Sequence, residues 1–443
     1  MTTKYKGFKE SLLESIPENI PVYSKPPEKR LKIIIPLGIL CIIEGWHFFD
    51  IFSIKINQTA NDSLGYYNYS LLYLFTILFF SIPSMYLIET DVSIAIIISC
   101  VIESLSCFFS FLLKYRILIE FSAFTSCIAM IFLFKSLGKI AQLWYVDKEK
   151  NLVITSLISL IFFGGGISFL TYNRKLVEWG TIKKLSSFIK FCVVLPCLGL
   201  LLNPLPDKYI SEKQYDRLTH KFKIMDQAIS VLLNNTVYII SVSLILTSFV
   251  FSFLSFLDEQ ENMMRPPGYL IGMIFILSVF FIGLIYFYFQ KYKEYSFLSK
   301  TNLIVCIASY FLIILYFLII FSKTILRMPT IPILIHFVFG LAMVLFIIIN
   351  YDVLCEESFP YGESCILTIC EVITCVFSLI LISLNYTLRS NVYYSNQRWV
   401  EIIMFLFPFL FGCLLNLPTG DFMKESIADN LNKLSIQEET ITG

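Results

Sequence analysis

LWYVDKE, residues 143–149, is a short polar stretch between two long apolar runs, and SFPYGE, residues 358–363, stands in the same position between two later ones. In both, an aromatic residue precedes a glutamate by four positions, Tyr145 with Glu149 and Phe359 with Glu363, and a shift of 214 residues lays one pair on the other. An aromatic ring suits a membrane boundary, and an acid suits the positive end of the helix that follows. The recurrence reads as one boundary device used twice, which implies two related halves.

The runs around these stretches are too apolar for a water-soluble surface. The 443 residues are 57% hydrophobic and only 15% charged, with a mean hydropathy of +0.74, so the chain reads as an integral membrane protein. A helix crossing ~30 Å of hydrocarbon takes roughly 17 to 25 mainly apolar residues, because only a helix pairs all its own backbone groups there. Twelve segments qualify, near 33–54, 68–88, 92–113, 117–135, 152–172, 185–203, 236–257, 268–290, 301–322, 328–350, 363–386 and 399–417. The twelve cysteines form no C-x-x-C pair and fall mostly inside these runs, where small apolar packing is their expected role. The first 32 residues are lysine-rich and lack the short apolar core of a cleavable signal.

Lysine and arginine set the orientation. With both termini cytoplasmic, most basic residues fall on the inner side, in the amino tail, the 135–150 loop and the central 204–233 linker. Arg174, Lys175, Lys183 and Lys184 are the exception, on an outer loop. Sequons at Asn57, Asn61 and Asn68 agree with an external first loop. The expected organisation is a cytoplasmic tail (1–32), a six-helix bundle (33–203), a cytoplasmic linker (204–233), a second six-helix bundle (234–417) and a cytoplasmic tail (418–443). This all-α layout of twelve helices is that of major facilitator transporters, whose halves are parallel repeats.

The two boundary stretches also carry a narrower likeness. KIAQLWYVDKE (139–149) and YDVLCEESFPYGE (351–363) resemble the signatures of the feline leukaemia virus subgroup C receptor-related transporters. The matching positions are Ile140, Ala141, Trp144, Tyr145 and Glu149, then Tyr351, Asp352, Glu356, Phe359, Pro360 and Glu363, with Gly164 and the FL pair at 169–170 continuing the match. The resemblance implies a carrier of choline, ethanolamine or haem. It places the family's first-span tryptophan at Phe48, which keeps an aromatic face for a quaternary ammonium. The family's fifth-span glutamine, seventh-span tyrosine and eleventh-span glutamine fall at Phe162, Ser252 and Cys375. The superfamily's usual loop between spans two and three is reduced to ETD (89–91), without its arginine.

Ionisable residues inside apolar spans cost at least ~2.5–3.5 kcal/mol on insertion scales, so they mark cavities or partners. In the first span CIIEGWHFFDIF places Glu44, His47 and Asp50 at steps of three, over ~120° of helix surface. A cation site or a proton relay would use carboxylates beside an imidazole, a group that exchanges its proton near neutral pH; the plainer alternative has Asp50 meeting water and Glu44 pairing with a neighbouring helix. One E-x-x-H without further histidines is a weak metal signal, so no metal and no cofactor are expected. Glu371 lies one turn before Cys375 and is expected near the solute. Glu103 and Lys190 read as paired or snorkelling residues, His336 as a core histidine and His220 as solvated. GGG at 164–166 offers a backbone surface for close helix approach.

The candidate solute-binding set is therefore Glu44, His47, Phe48, Phe162, Ser252, Glu371 and Cys375. The expected function is secondary transport of a small organic solute by a monomer in the plasma membrane, with no catalytic residues and no nucleic-acid partner. A carrier that has degenerated into a receptor or scaffold is the alternative, and a membrane-embedded enzyme a more distant one.

Overall fold

The computed structural model describes residues 30–58, 63–112, 116–145, 147–171, 179–202, 236–258 and 363–391, with the short stretch 407–412 and isolated positions that include Tyr351. These residues form eight long helices: α1 Leu31–Gln58, α2 Ser63–Thr90, α3 Val92–Phe111, α4 Arg116–Trp144, α5 Asp147–Thr171, α6 Trp179–Leu202, α7 Thr236–Asp258 and α8 Glu363–Asn391. Six carry a stretch long and apolar enough to cross a membrane, in α1, α2, α3, α4, α6 and α8, and α5 and α7 carry shorter apolar stretches. Expected spans 268–290, 301–322 and 328–350 lie outside the described residues apart from Ile347, as does most of 399–417.

Neighbouring helices interlock in a closed order. Helix α1 packs on α5 and α6, α3 on α4 and α6, and α4 on α2, while α8 packs on α7 and reaches across to α2 and α4. The burial pattern is that of a lipid-facing bundle. On α3, Ala95, Ser99, Glu103, Ser106 and Ser110 point inward, while Ile94, Val101, Leu105 and Phe108 face outward. Large apolar side chains meet hydrocarbon at little cost, whereas small and polar ones let helices approach and find partners. Asp91 of the ETD stretch caps α3, its Oδ1 accepting from Ser93 N at 2.9 Å.

The glycines of 164–166 act where α1 crosses α5. A Cβ on Gly164 would stand 2.0 Å from the Ile42 carbonyl oxygen and 2.7 Å from Trp46 N, and one on Gly45 would stand 1.9 Å from the Ile161 carbonyl oxygen. Each backbone occupies the space a side chain would need on the other. The packing role expected of these glycines is the one they have.

Helix α4 differs from its expected span. It continues beyond residue 135 to Trp144, with a bend at Tyr145, and α5 begins at Asp147. Hydropathy falls at Lys135 and Lys139, which reads as a loop; both lysines stay helical because each finds an acid on another helix.

Candidate functional site

Two sets of buried polar residues stand out, one between helices on opposite sides of the polar linker and one wholly among α1, α3 and α4. The first centres on Lys135. Its side chain is completely buried, and its Nζ lies 3.0 Å from Glu371 Oε2 on α8. It also donates to the Ser81 carbonyl at 3.0 Å and to Ser84 Oγ at 3.2 Å, both on α2. Ser81 Oγ donates to the same Glu371 oxygen at 3.3 Å. A lysine ammonium has three protons to place, and here each has an acceptor. Glu371 keeps 22% of its side chain exposed, so it is the accessible member of the pair.

One turn further along α4, Lys139 Nζ lies 2.7 Å from Glu89 Oε2, the first residue of the ETD stretch. The other oxygen of Glu89 accepts from Ser364 N at 3.3 Å and from the Ser364 hydroxyl, in the first turn of α8. A carboxylate there meets the unpaired N–H groups and the positive end of α8. Two charged rungs therefore tie α2, α4 and α8 together. Tyr351 adds a third tie: its hydroxyl accepts from Gly138 N at 2.9 Å and donates to the Phe134 carbonyl at 3.2 Å, the two ends of one helical rung of α4. Cys375 donates its thiol to the Leu74 carbonyl on α2.

The second set lies inside the first six helices. His47 Nδ1 is 2.7 Å from Glu103 Oε1, and His47 Nε2 is 3.2 Å from Ser122 Oγ. Cys107 Sγ donates to Glu103 Oε1 at 3.3 Å. Glu44 lies beside Glu103 and 3.5 Å from Ser99 Oγ. Asp50, on the same helix, turns instead toward α5 and α6, where it accepts from Ser168 Oγ at 2.7 Å and pairs with Lys190. The Lys190 ammonium also stands 5.2 Å above the Trp46 ring. The 120° spread of the three α1 residues is enough to give them different neighbours.

Of the residues expected to bind solute, Glu371 and Cys375 meet α2, with Glu371 also on α4. The hydrogen-bonded partners of Glu44 and His47 lie on α3 and α4. Phe48 is buried, its ring edge-on to Tyr73 of α2 at 5.1 Å, and Phe162 is buried in α5. The side chain of Ser252 lies outside the described ones. Of the boundary residues, Trp144 and Tyr145 are buried, and the Arg30 guanidinium stands 5.4 Å over the Tyr145 ring. Glu149 falls in the first turn of α5 and Glu363 opens α8, but their side chains, with Glu356, Phe359 and Pro360, lie outside the described ones.

Sequence reasoning missed Lys135, Glu89 and Ser81. Lys135 and Lys139, four apart on one face, carried a signal: a helix extended by one turn would bring both to a neighbour.

No family model matches the chain, and no curated protein matches it. Among solved structures it is similar to the Escherichia coli fucose:proton symporter FucP, with a TM-score of 0.51 and 12% identity over 87% of this chain and 99% of that one. At that identity the likeness concerns the fold alone. The chain has a major facilitator-type fold and is a multi-pass membrane protein, as its apolar helices require.

Proposed function

We propose that this chain is a secondary transporter, moving a small organic solute by alternating access. In this reading twelve spans form two six-helix halves, both termini are cytoplasmic, and a monomer works in the plasma membrane. The observation that carries it is the buried bridge from Lys135 to Glu371, which joins helices on either side of the 204–233 linker. Rocking of two halves must make and break the contacts between them. A buried ion pair suits such a contact, because a lone charge left behind is costly and either member stays in place only while its partner, or a substitute, is present.

Glu371 is the exposed member, so a cationic solute would replace Lys135 upon it. Tyr73, near Glu371 and edge-on to Phe48, offers an aromatic ring, which attracts a quaternary ammonium that has no proton to donate. Choline- and ethanolamine-like cations, which the likeness at 139–149 and 351–363 implies, fit this chemistry. Haem, implied by the same likeness, would instead offer its carboxylates to Lys135.

The test is uptake by purified protein in liposomes, screened over choline, ethanolamine, amino acids, nucleosides, sugars and haem. Saturable accumulation of one solute is expected, and Glu371→Gln should lower it at least ~10-fold without loss of folded protein, the effect of one lost charged contact. Folded protein that accumulates none of these solutes would sink the proposal.

A further inference from the structure

The cluster around His47 encloses an imidazole, a thiol and two carboxylates on α1 and α3. Ser122 donates its hydroxyl proton to the Ser106 carbonyl at 2.9 Å, so toward His47 it can only accept, which assigns the ring proton to Nε2. Ser106 donates to the Ser122 carbonyl at 2.7 Å and has nothing left for the ring. Nδ1 faces a carboxylate oxygen 2.7 Å away, where either a proton of a charged imidazole or a bound cation must lie.

Ser99, next to Glu44, donates to the Ala129 carbonyl at 2.9 Å. Oε2 of Glu44 and Oε2 of Glu103 are both buried without a hydrogen-bond partner, and both residues are 0% exposed. Two carboxylates and an imidazole are thus enclosed, while the nearby Lys190 is engaged by Asp50. Protons alone could neutralise the cluster only if one lay between His47 and Glu103 and another between Glu44 and Glu103.

We propose that His47 Nδ1, Glu103 Oε1 and Cys107 Sγ bind a zinc-class divalent metal ion that fastens α1 to α3. The three atoms form a triangle with sides of 2.7, 3.3 and 3.6 Å. Ligand atoms around a tetrahedral zinc stand ~3.3–3.6 Å apart, so only the nitrogen–oxygen side has to widen. Imidazole, thiolate and carboxylate together suit zinc rather than magnesium or calcium, which take oxygen alone. The Cys107 thiol gives up its proton to solution on binding, and the three ligands leave the fourth position of a tetrahedron open. Ser122, holding Nε2, fixes the ring as outer partners of metal-bound histidines do. Spacing along α1 could not show this site, because two of its three ligands stand one turn apart on α3.

The experiment uses full-length protein purified without a histidine tag, incubated with zinc, desalted and assayed for metal. About one zinc per chain is expected, falling to roughly a tenth or less in His47→Gln and Cys107→Ala, as when a ligand is removed. Cys100→Ala, which removes a buried thiol of the same helix, should keep its zinc. Cobalt in place of zinc should give a thiolate-to-cobalt absorption band that Cys107→Ser abolishes. The parent protein decides even where a variant fails to fold. Folded parent that retains no zinc and shows no thiolate band with cobalt overturns the proposal, leaving protons to neutralise the cluster. Zinc that both ligand variants retain equally overturns it too.

Discussion

The bundle interior and the junction with α8 both bury charge, but they bury it differently. At His47 and Glu103 the side chains are sealed, and the hydrogen-bonded neighbours all belong to α1, α3 and α4. At Lys135 and Glu371 the lysine is sealed and the acid is not, and the partners come from α2, α4 and α8. A sealed cluster within one packing unit can stay fixed through any motion of that unit. A pair between helices far apart in the chain, with one member partly exposed, is the one the proposed transport cycle would exchange. The difference separates what holds the protein together from what its motion would use.

The sharpest way to break this contrast is to remove Lys135. Lys135→Met leaves Glu371 without its partner, and a loss of about 3 kcal/mol is expected, at the lower end for a broken buried pair because Glu371 is partly exposed. Lys135→Met with Glu371→Met should recover most of that stability and none of the transport, read from thermal melting and liposome uptake of the same samples. Full transport in the double variant would show that the pair is only structural. Next in size, His47→Phe should lower the melting temperature through a cost of about 2 kcal/mol, since the buried Glu103 loses the partner of its Oε1. An unchanged melting curve would mean that the cluster does not hold the interior.

Smaller still, Gly164→Ala should cost about 1–2 kcal/mol, because its methyl group meets the backbone of α1 and the helices must separate. Gly165→Ala should cost less, since its new methyl meets the Phe49 ring, a side chain that can turn aside. Equal melting temperatures for the two would contradict the close backbone crossing. The smallest effect is expected of Lys139→Ala, about 1 kcal/mol, because the buried Glu89 carboxylate it leaves behind keeps its hydrogen bonds from Ser364 and the positive end of α8.

Much of the helix layout was legible in the apolar runs, because a bilayer allows one backbone solution and fixes its length. The expected spans at 92–113, 185–203, 236–257 and 363–386 lie close to α3, α6, α7 and α8. The end of α4 was not legible, since hydropathy cannot tell a lysine at a membrane edge from one buried on an acid. Glu371 was expected near the solute; the structure places it on Lys135 and Ser81, and Lys135 was read as the start of a loop. Glu44, His47 and Asp50 were read as one face, and the structure divides them because neighbours on both sides of α1 offer partners.

By itself the sequence determined that this chain enters a membrane, roughly where its described helices lie, which glycines leave room for close crossing, and that two boundary stretches repeat. Only the tertiary structure decided that His47 meets Glu103 and Cys107, that Asp50 meets Lys190, and that Lys135 reaches Glu371. The reason is physical. Span length follows from the thickness of hydrocarbon and is written along one helix, whereas the pairing of buried charges depends on the depth and rotation of helices far apart in the chain.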